Sequence, residues 1–147
     1  MTLTCRTHRG APAAPITGPE EALAALSVAT EGGRQPAAVL ACLDPARRPL
    51  TMFVLDHCPP DPSPLLLALE VLLDAVDDHD GARLLSELVL ATSRPGQTAE
   101  PTDEDLDAWD ELDELCDRNG IGLLDWFILA DGAAVSVPDA LGEPDRW

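Results

Sequence analysis

The sequence predicts a single α/β domain in which a mixed β-sheet is flanked by helices. Three observations lead there. A chain of 147 residues is long enough for one compact core and leaves little room for a second. Apolar residues make up 46% of it, so it can bury a core despite a formal net charge of −18. The apolar runs then fall in the order α-ββ-α-β-α-ββ, which describes a sheet with helices packed against it.

Each element has its own signal. Residues 1–15 show no period, carry Arg6, His8 and Arg9, and read as a flexible N-terminal arm. Thr17 and Glu20 fit a capping box ahead of a helix over 21–29, which Gly32-Gly33 stops. Residues 36–44 form a short apolar run between prolines, and 50–55 return as a second strand after the charged turn 45–48. A Pro-rich loop, 56–64, ends with Ser63 as N-cap and Pro64 at the first helical position. The helix that follows runs to about Asp78 and is rich enough in Leu and Val to be largely buried. His79-Asp80-Gly81 closes it, and a strand is expected within 84–92, centred on 87–91.

After the loop 93–101, Thr102 caps a helix whose first turn holds Asp103, Glu104 and Asp105, where the helix dipole favours negative charge. Its buried stripe is Leu106, Trp109, Leu112, Leu115 and Cys116, and Asn119-Gly120 ends it. A strand over 123–130, the hairpin dipeptide Asp131-Gly132 and a partner strand over 134–137 complete the fold. The boundaries are an arm at 1–15, a domain at 16–142 and a C-terminal tail at 143–147.

Composition excludes several functions. With 27 acidic residues against 9 basic ones, and a pI near 4.1, the surface repels phosphate. Direct nucleic-acid binding and docking to anionic membranes are therefore not expected. The longest apolar run, 65–76, is interrupted by Glu70 and Asp74 and is too short to span a bilayer. No apolar leader opens the sequence, so a cytoplasmic protein is expected, with Cys5, Cys42, Cys58 and Cys116 as reduced thiols. Phosphate-binding, dinucleotide-binding and nucleophile-elbow glycine motifs are missing.

The second half carries a more specific pattern. Thr102-Asp-Glu-Asp105, a helix, the run Gly120-Ile-Gly-Leu-Leu-Asp-Trp126, the turn Asp131-Gly132 and Val135-Ser136 together resemble the C-terminal half of RadC-like JAB (MPN/JAMM) domains. Those domains read Ser-x-x-Asp, a helix, Gly-Ile-x-Leu-Leu-Asp-His and a final Ser-bearing strand. The resemblance spans about residues 16–140 and implies a JAB/MPN-like fold.

Active members of that family hold a metal with His-x-His-Pro, then Ser-x-x-Asp, and a Glu from the first strand. The resemblance sets Thr92-Ser93-Arg94-Pro95 on the His-x-His-Pro segment and Thr102 and Asp105 on the Ser and Asp. The first strand offers Gln35-Pro36 and no acid, and Trp126 stands where the family has His. Thr92, Arg94, Thr102 and Asp105 are thus the positions of a degenerate metal site. A guanidinium has donors only, so Arg94 cannot ligate a cation, and one carboxylate cannot hold zinc alone. No cofactor, no catalytic residue and no metallohydrolase activity are expected. The resemblance puts Arg94 where it can pair with Asp105 in the space the metal would take. The plain alternative is an Arg94 that points to solvent and an Asp105 that only decorates the helix N-terminus.

Two other features invite function. Asp56-His57-Cys58 brings acid, imidazole and thiol into one loop, though sequence neighbours rarely face one another productively. The helix after Thr102 presents Asp103, Glu104, Asp107, Asp110, Glu111, Asp113, Glu114 and Asp117 with no basic residue between them. Its plain role is a solvated face; its functional one is docking of a basic partner. The leading expectation is a catalytically inactive RadC-like JAB domain that works through protein contacts, with a basic protein or a second copy as partner. The alternatives are a metal-dependent hydrolase using a displaced set from His57, Cys58 and Asp105, and an acidic mimic of DNA.

Overall fold

The computed structural model describes residues 2–7, 14–77 and 84–147, so His8 and the expected helix stop at His79-Asp80-Gly81 lie outside the described residues. The chain forms an α/β domain built on a six-stranded mixed sheet. In chain order the elements are β1 (Thr2–Thr7), α1 (Pro19–Ala29), a 3₁₀ turn (Glu31–Gly33), β2 (Ala37–Leu43), β3 (Pro49–Asp56), α2 (Ser63–Asp77) and β4 (Glu87–Ser93). There follow α3 (Asp103–Arg118), β5 (Gly122–Ala130), β6 (Ala133–Ser136) and α4 (Val137–Ala140). The strands lie in the order β1-β3-β2-β4-β5-β6. All neighbours are antiparallel except β4 and β5, which α3 joins as a crossover and which are therefore parallel.

β2 lies inside the sheet, and every one of its residues is buried. Its alternation divides the core in two. Ala38, Leu40 and Cys42 join Leu65, Leu69, Trp109 and Leu112 under α2 and α3. Val39, Ala41 and Leu43 join Ala22 and Leu26 under α1. On the α1 side a mostly apolar cleft of about 400 Å³ lies between α1 and strands β2 and β3. A register shift where β4 meets β5 sets Leu88 against Leu123 but Val89 against Asp125. Leu123 and Trp126, three residues apart, thereby reach the same core.

Several expectations need correction. Residues 2–7 are not part of a loose arm: β1 pairs with β3 from Thr2↔Asp56 to Thr7↔Thr51. The N-cap of α1 is Gly18 rather than Thr17. Thr17 donates its hydroxyl to Glu21 instead, at 2.7 Å, because Pro19 starts the helix early. Ser63 lies inside α2, where its backbone N–H and hydroxyl both donate to Asp61. The last strand stops at Ser136, whose hydroxyl caps the short α4. The expected strand over 87–91 continues to Ser93, and this carries the chain to the site.

The segment 143–147 is strapped to the domain. Arg146 donates to Asp113 at 2.6 and 3.1 Å and to the Leu123 carbonyl at 2.9 Å, with its guanidinium over the Trp109 ring. Trp109 Nε1 donates to Glu143, and Trp147 Nε1 to Asp125. Arg47, from the β2–β3 turn, stacks on Trp147 and pairs with Glu87.

Candidate functional site: a buried arginine–aspartate pair

The site lies where the parallel pair β4–β5 ends and α3 begins, the usual place for chemistry in an open α/β sheet. Beyond the last residue of β4, the Arg94 N–H donates to the Leu129 carbonyl at 2.8 Å, holding the chain against β5 for one more step. The Arg94 side chain then turns to the first turn of α3. Its two terminal nitrogens donate to the two carboxylate oxygens of Asp105, both at 2.7 Å. Both side chains are buried, at 2% and 0% exposure. This is a fork-to-fork pair, the geometry that favours Arg over Lys.

The helix start fixes the carboxylate independently. Thr102 and Asp105 form a reciprocal capping box: the Asp105 N–H donates to the Thr102 hydroxyl, and the Thr102 N–H donates to Asp105 Oδ2 at 2.8 Å. The Thr102 hydroxyl also donates to Oδ2 at 3.0 Å. Burial by itself raises the Asp105 pKa, but the hydrogen bonds from Arg94 and Thr102 and the guanidinium charge outweigh it. The carboxyl is held below its ordinary value.

Thr92 and Trp126 form the neighbouring contact. Trp126 Nε1 donates to Thr92 Oγ1 at 2.9 Å, and both residues are buried. The four positions set out from the sequence thus resolve into two closed contacts, Arg94–Asp105–Thr102 and Thr92–Trp126. Sequence reasoning missed the second, since the indole's partner lies 34 residues away. Two buried polar atoms in this stretch lack a protein partner, Ser93 Oγ and Arg94 Nε.

These residues do not fit a catalytic metal. A zinc site needs about three lone-pair donors and an open position, whereas here the one carboxylate is saturated by a permanent cation. Among the described residues no three His, Cys, Asp or Glu side chains are grouped as a metal site. His57 is exposed at a positive φ, and the buried Cys58 thiol donates to the Leu55 carbonyl. Burial pushes that thiol above its ordinary pKa, which works against thiolate chemistry.

A second buried carboxylate stands on the α1 side of the sheet. Asp125 accepts from the Ser136 hydroxyl at 2.7 Å, the Trp126 N–H and Trp147 Nε1. Burial dominates here, and its pKa is raised. On α3, Asp103, Glu104, Asp107, Asp110, Glu111, Glu114 and Asp117 are exposed as expected. Asp113 is the exception, half-buried and engaged by Arg146.

No family model matches this sequence, and no curated protein matches it. Among the described residues no helix is long and apolar enough to cross a membrane.

Proposed function

We propose that this chain is a catalytically inactive domain of the RadC-like JAB type, working in the cytoplasm through contacts with other proteins. The observation that carries the reading is the bidentate Arg94–Asp105 pair. In the family pattern the position of Arg94 supplies an imidazole and that of Asp105 a carboxylate, both to a metal. Here a guanidinium neutralises the carboxylate directly, so no metal ion is required at this position and no metal-bound water is supplied to attack a bond. The α/β class of the fold is the one the resemblance implies.

What remains for such a domain is binding. Seven exposed carboxylates along α3 offer long-range attraction to a basic protein, of a kind that weakens steeply with salt. The same charge opposes direct contact with nucleic acid or an anionic membrane.

The test is elemental analysis of freshly purified protein, combined with assays on isopeptide- and peptide-linked substrates. The expected result is no stoichiometric transition metal and no turnover. About one zinc per chain, with an activity lost on chelation and restored by the metal, would overturn the reading.

A further inference from the structure

We infer that the free edge of β1 is a self-association surface, through which two copies of this chain join their sheets into one. β1 is the end strand of the sheet, and its six residues follow β3 in register without a bulge. Among the described residues no strand pairs its outer side, which leaves a row of backbone donors and acceptors open. The usual guards of such an edge are missing, for Thr2–Thr7 contains no Pro, Lys, Asp or Glu. The other edge is managed differently: β6 has only four residues and runs straight into α4.

Charge selects a second copy as the occupant. A chain of net charge −18 repels its own kind over most of its surface. The single charged residue of β1 is Arg6, so two β1 edges can meet without opposing carboxylates. A two-fold axis perpendicular to the sheet keeps like faces together and makes the contact self-complementary. With Thr4 on that axis, Thr2 stands opposite Arg6 of the other copy and Leu3 opposite Cys5. Thr2 is in turn paired with Asp56 of β3. Leu3 is 56% exposed and Cys5 is exposed, and each lies beside a large apolar residue of β3, Leu55 and Phe53. The second strand covers this open margin of the core under α2.

The inference is independent of the Arg94–Asp105 site, because a metal found there would leave it standing and a monomer would leave that site untouched. Its test uses the full chain in sedimentation over a range of concentrations. The expected result is a reversible dimer that Leu3→Glu dissociates while circular dichroism stays unchanged. Amide exchange over residues 2–7 slows as the dimer forms. Leu3→Cys places a thiol opposite Cys5 of the other copy, and oxidised glutathione then yields a covalent dimer on a non-reducing gel. The unsubstituted chain yields none, because its two Cys5 are out of register. A monomer at every concentration, or a dimer that Leu3→Glu leaves intact, overturns the inference.

Discussion

Arg94 and Asp105 illustrate how a buried charge is made tolerable, and at what risk. The pair's net contribution is small if desolvation offsets attraction, yet removing either partner exposes the full penalty. Arg94→Met leaves the carboxylate with only Thr102 for support, and a loss of about 3–5 kcal/mol is expected in urea unfolding. Arg94→Met combined with Asp105→Leu loses less than the sum of the two single changes, which a double-mutant cycle reads directly.

The two buried carboxylates respond to pH in opposite senses. Asp105, with its pKa lowered, contributes stability above the ordinary carboxylate range, and this is lost as pH falls through the depressed value. Asp125, with its pKa raised, favours the fold most below the ordinary value, and that advantage disappears as pH rises through the elevated one. Asp125→Asn cannot ionise; it keeps an oxygen for Ser136 and the Trp126 N–H but sets an NH2 against Trp147 Nε1, a loss that does not depend on pH. Its stability relative to the unsubstituted chain should therefore rise, in urea titrations, as pH climbs from the ordinary carboxylate range through the elevated value.

Among the elements, the turn after α1 is held by backbone geometry. Gly32 and Gly33 both adopt positive φ, at 68° and 83°. Only Gly33 is also crowded, since a Cβ there would lie 2.9 Å from the Ala130 nitrogen and 3.0 Å from the Leu129 carbonyl carbon. Gly32→Ala should cost about 1 kcal/mol for the left-handed backbone alone. Gly33→Ala should cost more, because the turn must leave β5, and thermal unfolding of the two variants side by side shows the difference. α3 was the element most legible in the sequence: Thr102, the acids after it and a stripe through Trp109 and Leu112 are local signals, and all hold. β1 was not legible. Thr-Leu-Thr-Cys-Arg-Thr contains few apolar residues, and what makes it a strand is pairing with β3 some fifty residues on. α4 was hidden for another reason, since four residues give no period and its start rests on the Ser136 cap.

At the scale of the whole molecule, the segment 143–147 joins parts that the sequence does not connect. Arg146 reaches Asp113 on α3 and the Leu123 carbonyl on β5, while Trp147 meets Asp125 and Arg47. Nothing local announces these contacts, so the expected tail could not be read as a strap. Arg146→Ala should lower stability by about 1–2 kcal/mol at low salt. The side chains of the Arg146–Asp113 pair are 30% and 37% exposed, so the gap between variant and unsubstituted chain should narrow in molar salt. The candidate site was legible in part. The resemblance set Arg94 against Asp105, and residue chemistry added that a guanidinium cannot ligate a cation. The indole bonded to Thr92 and the close approach of Gly33 to β5 depend on the assembled sheet.

The interlocked fork at the start of α3 also has a consequence for descent. A lineage that alters one half of it alone passes through a weakened intermediate, so drift should keep both halves or replace both together. Opening this place to a metal ion would require the loss of Arg94 and the arrival of further ligands together, since Asp105 alone cannot hold one.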